Sequence, residues 1–455
     1  MRTPHLCFPS SKLLRKAALL FLCLSLSSSL YGYSVLSHEA LIDAAWNPFI
    51  VPLLLKRYPG STAAELREAH AYAYGGSVIQ DMGYYPFGNR FFSNLAHYVR
   101  GGDFIEALLR DSQNVDDYAF ALGALSHYAA DNNGHPIAVN LSVPDLYPKL
   151  RRKYGKVVTY EDDPKAHIMV EFSFDVAEIA GAGYLPRTYT NFIGFEISKP
   201  LLERAFQQTY GLNFKDLFLN EDLAIGTYRR GASEIVPRLT QIAWKQKKNE
   251  IRRSGRRAAR RQFVYRLSRR NYERQWGNDY KLPKFFLRRW TYRWQFGARQ
   301  AQMGLLARIL VFFFELLPKV GPLRTLKFKP PTPQTRKLFV KSFDDVVARY
   351  EALLTAEGAN RLALQDKNFD TGKPTQAGAY QLADQTYAQL LDRLASGHFK
   401  GVSPELRSHI LAYYTNLNAP IATKENPKKW RQTLQELTAL KSTATAIPIA
   451  GDAKN

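Results

Sequence analysis

Residues 121–140 read ALGALSHYAADNNGHPIAVN, and within this run of small and apolar residues His127, Asp131 and His135 recur at four-residue steps. On a helix, residues four apart share a face. A core helix has no packing reason to place three such side chains on that step, so the spacing asks for a buried salt bridge or a metal site. The pattern recurs as His167 and Glu171 in AHIMVEF. Upstream lie His38 in YSVLSHEAL, Asp81 in SVIQDMGYYP and His97 in NLAHYV. Imidazole nitrogens and carboxylate oxygens are what zinc takes when thiolates are absent, at about 2.0–2.2 Å. For one pair alone an ordinary ion pair explains as much. His70, in LREAHAYAYG, has no companion and reads as structural, and His398 and His409 lack metal-competent neighbours at useful spacing.

The elements that must carry these residues are helical. EALIDAAW, TAAELREAHAYAYG, DDYAFALGALSHYAAD and PKAHIMVEFSFDVAEIAG all place apolar residues at three- and four-residue steps. Strand signals are scarce, so the chain predicts an all-α fold, a helical bundle with a basic and helical C-terminal extension. Six of the nine histidines fall in residues 33–240, which marks that region as the chemical one. A basic block, 241–300, follows. After the Pro-rich KFKPPTPQT, the helical patterns SFDDVVARYEALL, AYQLADQTYAQLLDRLA and WRQTLQELTALK return. The expected division is therefore 1–32, 33–240, 241–335 and 336–455.

Residues 1–32 have the pattern of an export signal. Arg2, Lys12, Arg15 and Lys16 precede an apolar stretch, Ala17 to Leu26, too short to span a bilayer, and SSSLYG supplies a small, polar end. Leu30 fits a cut after Gly32 only moderately, and an uncleaved N-terminal anchor is the alternative. The expected location is exported, periplasmic or secreted. Cys7 and Cys23 both lie in this segment, so the mature chain has no thiol. Disulfides, thiolate zinc ligands and cysteine nucleophiles are thereby excluded.

The order His, Asp, His, HxxxD, His, HxxxE resembles the zinc-dependent phospholipase C family over roughly residues 33–240. The same plan is shared by the single-strand-specific zinc nucleases of fungi and plants. The resemblance implies an all-α bundle with a multi-zinc cleft holding three zinc ions. Asp81, His97, His127 and Asp131 would hold the first; His135, His167 and Glu171 the second. His38 and Asp131 would hold the third, completed by the mature N-terminal residue, here Tyr33 where the family usually has Trp. Asp81 would orient or deprotonate the attacking water. Metal lowers the pKa of bound water towards ~7, so hydroxide is available for phosphodiester hydrolysis. The HxxxE form at His167 and Glu171 favours the phospholipase side, whereas the five-residue offset from Tyr33 to His38 is that of the nucleases. Met82 stands where an aromatic would be expected, so the head group is not indicated. The aromatics of GYYPFGNRFF form either an apolar lip at the cleft or a packed loop.

Of the formal charge of +23, residues 241–300 contribute +16, from nineteen Lys or Arg against Glu250, Glu273 and Asp279. Charge concentrated this way suits an anionic surface. Phe285, Phe286, Trp290, Tyr292, Trp294 and Phe296 are interleaved with it, and the apolar run GLLARILVFFFELL follows. Residues 241–317 would dock a peripheral enzyme on an anionic membrane. The same mixture suits single-stranded nucleic acid, and the apolar run alone would equally make a core helix. Three functions stand: an exported zinc phospholipase C-like hydrolase acting on phospholipid or another phosphodiester, a zinc nuclease, or a membrane-binding protein with a structural zinc site.

Overall fold

The computed structural model describes residues 35–180, 194–253 and 327–443. Regular structure among them is helical, with one isolated β-bridge between Lys367 and Pro374, as the apolar periodicity predicts. Helices α1 to α6 span Val35–Ala45, Val51–Arg57, Ala63–Gly76, Arg90–Tyr98, Gly101–Arg110 and Val115–Gly134. Helices α7 to α12 span Asn140–Leu146, Pro148–Tyr154, Pro164–Phe174, Lys199–Tyr210, Glu221–Arg230 and Val236–Arg253. The C-terminal region adds α13 to α16, Pro333–Gly358, Gln381–Ser396, Pro404–Tyr413 and Pro427–Ser442.

Helix starts follow local chemistry. Thr62 and Glu65 form a reciprocal capping box on α3, with Thr62 N donating to Glu65 Oε2 at 2.7 Å. The Asn114 side chain caps α6 by accepting from Asp117 N at 2.8 Å. Asp163 accepts from Ala166 N at 2.8 Å with Pro164 at the first position of α9.

The 20-residue α6 is buried along almost its whole length. It packs on α3 on one side and on α13 on another. Glycines set the closeness of the first contact. A Cβ on Gly76 would lie 2.0 Å from Phe120 O, and one on Gly123 would lie 2.2 Å from Ala73 O. Only hydrogen at both positions permits this crossing. The approach lets Ser77 O accept from His127 Nδ1 at 3.0 Å. On the other side, Phe339, Phe343, Val346, Tyr350 and Leu354 of α13 join the same core as Phe120, Leu122 and Leu125 of α6. Tyr350 Oη donates to Leu122 O at 2.8 Å.

At its C-terminus α9 continues into a π-helical turn, Asp175–Ala180. The Asp175 carboxylate accepts from Leu36 N at 3.0 Å, Ser37 N at 3.1 Å and Ser37 Oγ at 2.6 Å. One buried acid thus satisfies the free amides at the start of α1, favourably placed against the helix dipole. It seats His38 one residue further on.

Among the described residues no helix is long and apolar enough to cross a membrane. Residues 1–32 with Tyr33, the basic stretch 254–300 and the apolar run 304–317 lie outside the described residues.

Candidate metal centre

Asp131, fully buried on α6, stands at the middle of the site. Its Oδ2 faces His127 Nε2 at 3.1 Å and His97 Nε2, from α4, at 3.4 Å. Its Oδ1 faces His38 Nε2, from α1, at 3.6 Å and His135 Nε2 at 3.7 Å. Asp81, on the 3-10 turn Ile79–Tyr84, puts Oδ1 3.4 Å from His97 Nε2. Across the cleft, Glu171 Oε1 lies 2.9 Å from His167 Nε2 and 3.2 Å from His135 Nε2. Around this cleft three groups have the geometry to hold an ion: His38, His127 and Asp131; Asp81, His97 and His127; and His135, His167 and Glu171. All eight of these predicted site residues therefore meet in one place, with Tyr33 outside the described residues.

The donor set fits a cation on grounds independent of motif. His97 Nδ1 lies 2.7 Å from Ser93 O, as His127 Nδ1 lies 3.0 Å from Ser77 O. A carbonyl accepts only, so these contacts assign the ring proton to Nδ1 and leave Nε2 with its lone pair in both neutral rings. The two Nε2 atoms face each other at 3.3 Å, with Asp131 Oδ2 beside them. Lone pairs and carboxylate oxygens crowd together in a buried site, and positive charge between them removes the repulsion. Both oxygens of Asp81, Asp131 and Glu171 are buried without a hydrogen bond, a cost relieved by a metal.

Protons alone would answer the same demand, and the titration behaviour reflects it. For His97 burial favours the neutral ring, but the Asp131 and Asp81 carboxylates outweigh it and raise the group to about 10. His135 is likewise raised to about 9, with Asp131, Glu171 and Asp370 overcoming burial. Both folded values exceed the ordinary 6.5. Their stabilisation is then fully present below 6.5 and lost as pH rises towards 9–10. Chelator-stripped protein should accordingly lose thermal stability across that window, and zinc, by replacing the protons, should flatten the dependence. Thermal unfolding with and without zinc checks this; an equally flat profile for stripped protein would mean that the histidines carry no excess charge.

Other sequence-based expectations meet the structure less directly. Of the GYYPFGNRFF aromatics, Tyr84, Tyr85, Phe91 and Phe92 are buried, and for Tyr85, Phe91 and Phe92 the packed-loop alternative applies. Phe87 alone is exposed, with a left-handed φ of 63°. Tyr84 joins Tyr98 and Tyr160 in lining the cleft. His70 stays outside the centre, 3.1 Å from Asp43 and stacked on Trp46. His409 does have acidic companions: Asp103 and Asp366, distant in sequence, meet it in space. Arg100, 2.6 Å from Asp103, already supplies that group's positive charge. Sequence reasoning missed Asp370, which lines the cleft from the C-terminal region. Its only signal is a polar loop, KNFDTG, with no histidine beside it.

Imidazoles and carboxylates gathered around the central helix of an all-α bundle form a candidate metal centre. Residues 37–219 match the family model described as zinc dependent phospholipase C, which supports a relation of this segment to that family. The match indicates a zinc-dependent, phospholipase C-like hydrolase. No curated protein and no solved structure matches the chain.

Proposed function

We propose that the protein is an exported zinc phospholipase C that hydrolyses the phosphodiester of phospholipid head groups at the Asp131 cleft. The observation that carries this reading is the convergence of imidazole Nε2 atoms and buried, unbonded carboxylate oxygens within the family-matched segment. Three ions are proposed. The first would be held by Asp81, His97, His127 and Asp131, the second by His135, His167 and Glu171. The third would take His38 and Asp131, with Tyr33 as the mature N-terminal residue. Zinc in these positions supplies Lewis-acid polarisation of the phosphoryl group and acidifies water.

The chain's own residues do the rest. Asp131 and Glu171 hold negative charge between the imidazoles. Asp81 is raised above the ordinary carboxylate range by burial, which outweighs the neighbouring His127 and His97. Its Oδ2, without a hydrogen-bond partner at the cleft wall, takes the proton of the attacking water. Tyr84, Tyr98 and Tyr160 narrow the cleft around the reacting phosphate. Export rests on the character of residues 1–32, and docking on an anionic membrane rests on the charge of 241–317.

The test offers zinc-loaded chain 33–455 phospholipid vesicles and single-stranded DNA side by side. Release of phosphorylated head group, lost with chelator and lowered about 10²–10⁴-fold by Asp81→Asn, is the expected result. Cleavage of DNA instead would place the protein with the nucleases and make the basic block a strand-binding surface. Zinc uptake with neither activity would leave a structural metal site.

A further inference from the structure

Between α13 and α14 the chain runs as a loop across the metal centre, and it is fastened there at many points. Leu364 N donates to Glu106 Oε1 at 2.6 Å, and Gly102 N donates to Asp366 Oδ1 at 3.0 Å. Tyr128 Oη donates to Gln365 O at 3.0 Å, and Phe369 N donates to His97 O at 3.1 Å. The Phe369 ring sits 5.3 Å from that of His97 and 5.4 Å from that of Tyr128. Gly372 turns the chain at φ 67°, where a Cβ would lie 2.3 Å from Asn132 O. These contacts deliver one carboxylate, Asp370, 2% exposed.

The two oxygens of Asp370 differ. Oδ2 accepts from Tyr160 N at 2.8 Å and from Tyr380 Oη at 2.7 Å. Oδ1 is buried with no hydrogen-bond donor. It lies 3.5 Å from His135 Nδ1 and 3.9 Å from His167 Nε2. His97 and His127 each rest Nδ1 on a backbone carbonyl, which turns Nε2 into the cleft. His135 also points Nε2 at the site, towards Glu171. On its Nδ1 side lies Asp370 Oδ1, at 3.5 Å.

We propose that Asp370 is a positioning residue of the second metal site, a carboxylate that the C-terminal region places behind His135 to take its Nδ1 proton and fix Nε2 towards Glu171. The proposal rests on the metal reading above and extends it beyond the family-matched residues. A sub-ångström shift brings the pair to hydrogen-bond length, and a cation on Nε2 makes Nδ1–H the stronger donor that closes it. A carboxylate behind a ligating histidine sets its tautomer, locks its ring and increases its basicity.

The experiment uses the full mature chain with Asp370→Asn and Tyr380→Phe. Zinc affinity is read by competition with a chromophoric chelator, and the site environment by the visible spectrum of the cobalt-loaded protein. Asp370→Asn should keep its helical circular dichroism, weaken one class of zinc sites about 10–100-fold and shift the cobalt bands. Tyr380→Phe, which removes the bond to Oδ2 and the one from Glu161 N but leaves Oδ1 in place, should do neither. Unaltered zinc affinity and cobalt bands in Asp370→Asn would overturn the proposal, as would an equal loss in Tyr380→Phe. Should Asp370→Asn not fold, the imidazole proton–nitrogen spectrum of the unmutated, zinc-loaded protein decides: His135 protonated at Nδ1 supports the role, and at Nε2 refutes it. Absence of any metal uptake by the unmutated protein would instead sink the metal reading itself.

Discussion

Asp131→Asn is expected to empty most of the metal centre and reduce phosphodiester hydrolysis by about 10³–10⁴-fold, corresponding to roughly 4–6 kcal/mol of transition-state stabilisation. Four histidines face Asp131: His38, His97, His127 and His135 all turn Nε2 to its two oxygens within 3.7 Å. These imidazoles overcome burial and hold the Asp131 carboxyl well below its ordinary range, so it is an anion at every working pH. The amide keeps the shape and loses the charge. Metal bound by the histidines would then lose its shared counter-charge, and protonated histidines would be left uncompensated, a loss of about 3–5 kcal/mol for a buried partner. Elemental analysis of zinc per chain, beside the hydrolysis assay, measures both effects. Retention of the full zinc content in the variant would deny Asp131 its shared position.

The second large effect concerns the residues beyond the family match. A chain ending at residue 253 should not fold, although it contains the whole matched segment. Removing α13 uncovers the face of α6 on which Phe339, Phe343, Val346, Tyr350 and Leu354 lie buried. At about 1.5–3 kcal/mol for each large apolar side chain, the loss matches or exceeds the 5–15 kcal/mol that holds a typical domain together. The Leu122 carbonyl loses Tyr350, and His97 loses Phe369. Circular dichroism and solubility of chain 33–253 against 33–455 provide the measurement. A soluble, cooperatively unfolding short form would show that the C-terminal helices are an accessory rather than part of the core.

What could be read from the sequence followed the range of the physics involved. His127, Asp131 and His135, like His167 and Glu171, are legible because helix periodicity alone puts them on a common face. The N-caps at Thr62, Asn114 and Asp163 are equally local. His38, Asp81 and His97 carry no such signal; they are legible only as metal-competent residue types whose grouping the family resemblance implies, and only tertiary packing brings them to Asp131. Asp370 lies beyond either route. It reaches His135 because α13 spans the bundle and the following loop turns back at Gly372, and no local pattern encodes that path. The Asp103, Asp366 and His409 group was invisible for the same reason. Aromatic residues at 84–92 show the converse limit, since composition cannot distinguish a lip from a packed loop.

The two halves of the metal centre are spaced by a helix. Between His127 and His135 the axis advances about 12 Å, and each four-residue step turns the side chain by about 40°. Asp131 therefore lies between two clusters that face slightly different directions, and α6 acts as a rigid ruler between them. A ruler tolerates changes of side chain better than changes of register. One residue inserted between Asp131 and His135 would swing that ring by about 100°, away from Glu171, with every ligand still present in the sequence. Insertions and deletions in this interval, more than substitutions around it, are the lesions from which the site has no means of recovery.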